Sequence, residues 1–239
     1  MGRQGEMVMI GGYGLDIARG AEQDYYFEHK FGSNPNLVSG SQSIWTQGGL
    51  YPWSALDTAQ TLYVISTSGS DTGDITLYGL DENYEALEET VTLTGTTAVS
   101  TQNTFKRIFR MKYQDGSSNV GRVTARTVSG TGTVVADMLA GYSQTLMAVY
   151  TVPANVRAFG CQFTVGIGKG GDASFKIFTR EFGKSFRIRA DVELYESTFT
   201  QTYAVPFNLP PKMDIDFRAI TTGNNFPATA SFDMILDPR

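Results

Sequence analysis

The stretch Phe105-Lys-Arg-Ile-Phe-Arg-Met-Lys-Tyr113 decides how the sequence is interpreted, because its residues alternate with a period of two. Successive side chains of a β-strand point to opposite faces of the sheet. One face is expected to hold Phe105, Arg107, Phe109, Met111 and Tyr113, and the other Lys106, Ile108, Arg110 and Lys112. The pattern therefore predicts a strand with one face in the core and one in water.

The same periodicity recurs over most of the chain, in segments separated by Gly, Asn, Asp and Ser. These segments cover residues 61–66, 75–79, 89–94, 105–113, 121–128, 133–139, 144–152, 156–165, 173–181, 185–195, 213–222 and 228–236. Such spacing predicts an all-β protein with an antiparallel two-sheet β-sandwich or jelly-roll-like body at residues 61–239. A seam is plausible near residues 142–145, without the long linker of independent domains.

Two segments outside this list carry weaker signals. Residues 81–88 could form a short helix, although their acidic side chains fit a solvated loop equally well. Pro206, Pro210 and Pro211 flank Phe207-Asn-Leu209 and predict a rigid connection that crosses between sheets, because proline donates no ladder hydrogen bond.

Composition excludes several classes of protein. A formal net charge of −5 and a pI near 4.9 argue against nucleic acid as a partner, since such binding depends on Lys and Arg neutralising phosphates. The single cysteine, Cys161, cannot form an intramolecular disulfide and is expected as an inert core thiol. No signal peptide and no run of about 18 apolar residues is evident, so we expect synthesis in the cytoplasm and no membrane partner.

The first 60 residues differ from the rest, because frequent glycines alternate with large aromatic side chains. The aromatics are Tyr25, Tyr26, Phe27, Phe31, Trp45, Tyr51 and Trp53. Glycine at that density disfavours regular structure, whereas a disordered tail would lack so many apolar anchors. Residues 1–60 are therefore expected to be an extended arm whose aromatics dock on a neighbouring chain, so that removal of residues 2–55 leaves a folded body. The alternative is that the arm packs back on its own sandwich.

The sequence Gly166-Ile-Gly-Lys-Gly-Gly171 satisfies the G-x-G-x-x-G spacing of a dinucleotide loop. That loop functions only when a helix follows, because the helix N-terminus binds the pyrophosphate. Residues 173–179 read as a strand instead, so the glycines predict the tight turn of a β-hairpin and no cofactor.

Other candidate chemistry is sparse. His29 is the sole histidine, so a catalytic triad or a zinc site of the usual ligands is not expected, and we predict a packed or interfacial histidine. Asp214 and Asp216 lie two apart on one strand face, as glycosidase carboxylates could, but a surface charge ladder is favoured. Asp71 and Asp74 could ligate calcium, yet their loop lacks the ligands of an EF-hand. No catalytic, cofactor-binding or metal-binding residue is assigned.

Several short runs together resemble virion structural proteins of tailed bacteriophages, particularly marine and cyanobacterial ones. They are Phe31-Gly-Ser-Asn-Pro35, Trp45-Thr-Gln-Gly-Gly-Leu-Tyr-Pro-Trp53, Thr61-Leu-Tyr-Val-Ile-Ser-Thr-Ser-Gly-Ser-Asp-Thr-Gly-Asp74, Gly79-Leu-Asp-Glu-Asn-Tyr84, Glu89-Thr-Val-Thr-Leu-Thr-Gly-Thr-Thr97, Tyr150-Thr-Val-Pro153 and Lys212-Met-Asp-Ile-Asp216. The resemblance spans most of the chain and implies a place in the virion, on the capsid exterior or near the tail.

The resulting hypothesis is a non-enzymatic virion protein, a capsid decoration or cement protein that attaches through its arm to the major capsid protein. A homo-oligomer is expected, with a trimer as one form. The first alternative is a tail-associated adaptor or fibre-carrying protein bound to tail proteins. An alternative of another class is a carbohydrate-binding module or glycan hydrolase, with Tyr195, Phe199 and Tyr203 as its platform.

Overall fold

The protein is all-β, and a computed structural model describes its residues 16–17, 20–21, 25–114, 116, 118–223 and 225–238. Every strand pair among these residues is antiparallel, which confirms the all-β, antiparallel part of the predicted fold class. The strands are β1 (Tyr26–Leu37), β2 (Gly40–Ser43), β3 (Tyr63–Ser66), β4 (Asp74–Leu80), β5 (Ala86–Thr92), β6 (Val99–Ser100), β7 (Arg107–Tyr113), β8 (Val123–Arg126), β9 (Val134–Met138), β10 (Val149–Thr151), β11 (Val156–Ile167), β12 (Asp172–Arg180), β13 (Arg187–Tyr195), β14 (Thr198–Leu209), β15 (Asp214–Thr221) and β16 (Phe226–Pro238). One turn of 3-10 helix covers Trp53–Leu56.

The longest strands form two facing sheets. The first sheet has the order β1-β16-β11-β14, and the second has the order β10-β15-β12-β13, with β2 also paired to β15. Alternate residues of β12 and β16 are buried, as their period-two sequences require. Phe217 of the second sheet stacks on Phe232 of the first, with ring centroids 4.8 Å apart and planes 3° apart. The first core fills the space between these sheets.

Two smaller sheets enclose a second core. Their orders are β6-β3-β8-β9 and β5-β4-β7. Leu62, Leu77 and Met138 are among the side chains that fill this core, and each is fully buried. The architecture is therefore four antiparallel sheets around two cores, and not one two-sheet body.

The second core is an insertion between two strands of the first. The chain leaves the second sheet after β2 and returns to it at β10. The two ends of the inserted segment meet where Trp45 forms a β-bridge with Met147 and the amide of Ala148 donates to the carbonyl of Ile44 at 2.9 Å. Residues 142–145 pair with β7 through Gln144 and Thr145, so the passage between cores lies just beyond the predicted seam.

Gly32 of β1 lies against this junction. A Cβ at this position would come within 2.3 Å of both the amide nitrogen of Ala148 and the carbonyl oxygen of Ile44. Glycine is required because only its missing side chain lets the three backbone segments approach so closely.

Residues 26–43 correct part of the predicted arm, whose residues 1–15, 18–19 and 22–24 lie outside the described ranges. Residues 26–43 form β1 and β2, which pair with β16 and β15 respectively, so they are structural strands of the first and second sheets. The predicted boundary at residue 60 lies within one core, since Leu56 and Leu62 on either side of it are both buried there.

Two local predictions are also corrected, and the choice between helix and loop after Leu80 is decided. Residues 198–209 form the edge strand β14 and not a crossing connection, since an edge strand tolerates Pro206. The turn at residues 168–171 is tight, but it joins β11 of the first sheet to β12 of the second, so it is not a hairpin. Residues 81–85 form a turn before β5, with no helix.

The opening stretch of the sequence also departs from strict alternation. Tyr78 pairs with Arg110 and Gly79 pairs with Ile108, so Phe109 is an extra residue in a β-bulge. Ile108 therefore enters the second core, on the side where alternation predicted Phe109. Phe109 packs instead against Tyr150, with ring centroids 4.8 Å apart, at the first core.

Candidate functional site

Three of the seven predicted attachment residues are buried inside the chain itself. Trp45, Tyr51 and Trp53 are 2%, 4% and 6% exposed, and they form a row of edge-to-face contacts with ring centroids 5.1 and 4.8 Å apart. Their polar atoms are satisfied there, since Trp45 Nε1 donates to the carbonyl of Gly49 at 3.1 Å and the Tyr51 hydroxyl donates to that of Ile108 at 3.0 Å. The prediction that these rings dock on another chain is wrong, because they complete the second core.

The other four lie at the start of β1. Tyr25 and Phe31 are half-buried, whereas Tyr26 and Phe27 remain 56% and 55% exposed. Phe31 contacts the ring of His29, with centroids 5.5 Å apart. Only Tyr26 and Phe27, among these seven, therefore keep a large exposed surface.

Phe27 belongs to an apolar row on the outer face of the first sheet. It pairs with Ile235 of β16, which in turn pairs with Phe159 of β11. Ile235 and Phe159 are half-buried and alternate with buried neighbours such as Met234 and Ala158, so they face away from the first core, and Phe27 shares their face because it pairs with Ile235. We call Phe27, Ile235 and Phe159 the outer row.

Below the outer row the same face is mostly uncharged. On it His29 and Asp233 are hydrogen-bonded, with Nδ1 and Oδ1 2.5 Å apart, and hydroxyl residues follow. They include Ser231, Thr164 and Thr200, which occupy one cross-strand row. A face with few charges can pack against another protein surface without the cost of burying many of them.

Asp214 is the centre of a buried charge cluster between the two cores. Arg107 donates to Oδ1 at 3.0 Å, Arg180 donates to Oδ2 at 2.6 Å, and the Thr151 hydroxyl donates to Oδ1 at 2.6 Å. Arg107 comes from β7 of the second core, whereas the other two come from strands of the second sheet. The carboxylate is fully occupied by cations and a hydroxyl, which suits a structural link and not a general acid or base.

Asp216 is buried two residues further along β15. Trp53 Nε1 donates to its Oδ2 at 2.9 Å, and Arg218 Nε donates to the same atom at 2.8 Å. Burial raises the pKa of Asp216, and the charge of Arg218 with these hydrogen bonds opposes that change. The predicted surface ladder of Asp214 and Asp216 is thus wrong, because both carboxylates are buried: Asp214 pairs with Arg107 and Arg180 of other strands, and Asp216 pairs with Arg218 of its own strand.

A groove of about 230 Å³ opens above this cluster. Three turns border it, and they carry Tyr84 between β4 and β5, Phe182 and Lys184 between β12 and β13, and Lys212 before β15. We call it the cationic groove, because its lining includes five cations and three carboxylates. The cations are Lys106, Arg107, Arg180, Lys184 and Lys212, and the carboxylates are Asp57, Glu181 and Asp214.

The other candidate residues from the sequence analysis take part in the fold itself. Asp71 is 1% exposed and accepts hydrogen bonds from the amides of Val120 at 2.7 Å and Gly121 at 2.8 Å, so it anchors a loop. Cys161 is half-buried at the β11 bulge, and burial raises the pKa of its thiol. Within the described part of the chain, no group of three or more His, Cys, Asp or Glu side chains is placed to hold a metal ion.

The predicted glycan platform does not form as a unit. Tyr195 is 71% exposed, whereas Phe199 and Tyr203 are partly buried and pack against the first core. Phe163 lies 6.1 Å and 6.2 Å from their ring centroids. Strand alternation explains this, since Phe199 and Tyr203 occupy the inward positions of β14.

Sequence reasoning missed the residues of the cationic groove. Lys184 follows the turn residue Gly183, and Lys212 follows Pro210 and Pro211. Tyr84 lies in an acidic turn. These turns are distant in sequence, and no motif links them. Their proximity depends on the packing of the two cores.

No protein-family model matches the chain, and no curated protein matches it. Among solved structures, 86% of the chain is similar to 35% of an isomalto-dextranase chain from Arthrobacter globiformis T6 complexed with panose, at 11% identity and a TM-score of 0.26. The chain thus spans about a third of that chain's length. It is also similar, over 90% of its length and 77% of theirs, to infectious bursal disease virus structures of the Gt strain (11% identity, TM-score 0.17) and the Gx strain (9% identity, TM-score 0.19). Likeness at these scores carries no argument about fold or function.

Among the described residues, no helix is long and apolar enough to cross a membrane.

Proposed function

We propose that this chain is a non-enzymatic structural protein of a tailed-phage virion, a capsid decoration or cement protein on a jelly-roll-like pair of facing sheets. The observation that carries the proposal is the outer row, in which Phe27, 55% exposed, continues across the sheet into Ile235 and Phe159. The sequence resemblance to virion proteins of tailed phages supplies the setting. Attachment through a sheet face replaces attachment through an extended arm.

The chemistry of the outer row suits a protein partner. Aromatic and aliphatic side chains at the centre of an interface contribute most of its binding energy, and polar groups at the rim exclude water. The hydroxyl rows and the His29–Asp233 pair beside the outer row provide such a rim. The major capsid protein is the partner we propose, with copies of this chain arranged as a homo-oligomer such as a trimer.

The test replaces the outer row without disturbing either core. Phe27→Thr combined with Phe159→Thr removes the two aromatic rings of the outer row and keeps strand propensity. Val120→Thr combined with Val128→Thr is the matched control, because these valines are 61% and 54% exposed on loops of the second-core region. Deletion of residues 2–55 is unsuitable, since it would remove β1, β2 and three buried rings.

Virions produced with each variant are purified, and copies of the chain per particle are counted by quantitative mass spectrometry. We expect the outer-row variant to be missing from particles and the control to be incorporated normally, with both proteins folded by circular dichroism. Normal incorporation of the outer-row variant would refute the attachment surface. Copy number separates the two locations, because a decoration protein covers the shell and a tail-associated adaptor forms one ring at the tail.

A further inference from the structure

Two residues of the cationic groove have an uncommon backbone conformation. Tyr84 and Lys212 have φ angles of 65° and 63°, in the left-handed region that non-glycine residues rarely adopt. Such residues persist only where the surrounding structure holds them in place, and they cluster at functional sites. Both positions direct the side chain into the same groove.

An aromatic pair and a lysine form one wall. The rings of Tyr84 and Phe182 contact edge to face with centroids 5.7 Å apart, and Lys212 Nζ lies 5.3 Å from one centroid and 5.1 Å from the other. Phe182 is 61% exposed at the mouth. An exposed aromatic ring beside a cation offers an apolar platform next to a fixed positive charge.

Positive charge exceeds negative charge in the groove of a chain whose net charge is −5. Arg107 and Arg180 already neutralise Asp214. Among the described residues, Lys184 and Lys212 have no carboxylate within ion-pair distance, and Lys106 donates to the backbone carbonyl of Asp57. Burial and the neighbouring Arg107 guanidinium lower the pKa of the Lys106 ammonium, as expected where cations crowd together.

The dimensions favour a small ring-shaped anion. At about 230 Å³ the groove is smaller than the roughly 300–1,000 Å³ pockets that hold drug-sized ligands. It can therefore take one sugar ring, such as the terminal residue of a glycan. A nucleic acid would need a longer basic track to follow successive phosphates.

We propose that the cationic groove binds a carboxylate-bearing sugar residue of an acidic glycan. The sugar ring packs on Phe182, and its carboxylate is held by Lys184 and Lys212. Charge-assisted hydrogen bonds from two lysines supply the recognition of the acid, and the aromatic face supplies the recognition of the ring. The site uses none of the outer-row residues, so it does not depend on virion attachment.

The test is calorimetric titration of the purified protein with tri-galacturonic acid, maltotriose, inorganic phosphate and a hexa-glutamate peptide. We expect tri-galacturonic acid to bind, with affinity that falls as salt rises, and maltotriose to show no binding. Lys184→Gln combined with Lys212→Asn should weaken binding at least about tenfold, and Phe182→Ser should weaken it as well. Asn is chosen because it tolerates the left-handed backbone.

Lys169→Gln is the control, because Lys169 is exposed in the turn between β11 and β12 and lies outside the groove. Thermal unfolding verifies that each variant is folded, so a loss of binding reports on the groove itself. Several results would overturn the proposal: absence of tri-galacturonate binding at millimolar concentration, equal binding by the double lysine variant, or equal binding of phosphate. Preferential binding of the glutamate peptide would assign the groove to an acidic protein segment instead.

Discussion

The two cores of this chain are built in different ways. The first core lies between long strands whose alternation alone specifies which side chains are buried, as in β12 and β16. The second core lies between short strands and needs large rings from the non-strand residues 45–56 to fill it. The difference teaches that an aromatic, glycine-rich segment can be an internal part of a β fold. Among the seven aromatics predicted to attach, Tyr26 and Phe27 alone remain largely exposed for contact with other molecules.

The sharpest contrast sets Trp53 against Phe27, two aromatics of the same N-terminal segment. Trp53→Ala should lower the free energy of unfolding by about 3–5 kcal/mol, because it opens a cavity in the second core and removes the hydrogen bond to Asp216. Phe27→Ala should change it by less than about 0.5 kcal/mol, because Phe27 is largely exposed. Urea denaturation measures both changes in the free energy of unfolding. Equal changes would contradict the contrast between a buried Trp53 and an exposed Phe27.

The ion pairs of Asp214 link the two cores, and their removal gives the next prediction. Asp214→Asn should cost about 3–5 kcal/mol, because it leaves Arg107 and Arg180 near a neutral group in a buried site. The matched control is Asp191→Asn, whose ion pair with Lys176 is more exposed and should be worth about 1 kcal/mol or less. If guanidinium denaturation gives the two variants the same midpoint, the cores are not joined through Asp214.

A second link should be visible in the pH dependence of stability. Lys30 of β1 donates its Nζ proton to the carbonyl of Phe109 at 2.5 Å, and its pKa is lowered to about 7 by burial first and by the charge of Arg110 second. Because the unfolded chain keeps a lysine pKa near 10.4, the unfolded state binds the additional proton between these values. The stability of the wild type should therefore rise by about 3 kcal/mol from pH 7 to pH 10 relative to Lys30→Met.

This difference between the two proteins is obtained from urea unfolding at several pH values. Groups that titrate in both proteins cancel in the comparison. Parallel pH profiles would show that the Lys30 ammonium is not desolvated in the folded state.

The junction of the insertion gives the smallest expected effect. Gly32→Ala should destabilise the protein by about 1–3 kcal/mol, since the new methyl group meets backbone atoms of Ala148 and Ile44. Gly69→Ala, at a position with open space around it, should have little effect on the thermal midpoint. A thermal midpoint of Gly32→Ala equal to that of the wild type would place the junction elsewhere.

Sequence periodicity predicted the strands that carry their own alternating pattern, and every one of those segments contains a strand. It missed the two-residue strand β6, and it missed β1, β2 and β14, which contain Gly32, Gly40 and Pro206 respectively. β1 and β14 are edge strands and need only one hydrogen-bonded neighbour, so Gly and Pro are tolerated there and weaken the local signal.

The sites depended on contacts between residues far apart in the chain. The burial of Asp214 requires Arg107, 107 residues away, and no local pattern around either residue indicates the pairing. The cationic groove likewise forms from turns that meet only when both cores pack. Aromatic composition could not distinguish Phe27, which is exposed, from Trp53, which is buried, because both lie in the same segment of glycines, polar residues and aromatics.

Tryptophan fluorescence tests the central claim most directly, because Trp45 and Trp53 are the only two tryptophans of the chain. The measurement is acrylamide quenching of the purified protein, diluted until it is monomeric by light scattering. We predict blue-shifted emission and strong protection from acrylamide, since both rings are buried within one chain. Emission and quenching like those of free tryptophan in the monomer, with protection gained only on assembly, would contradict the account.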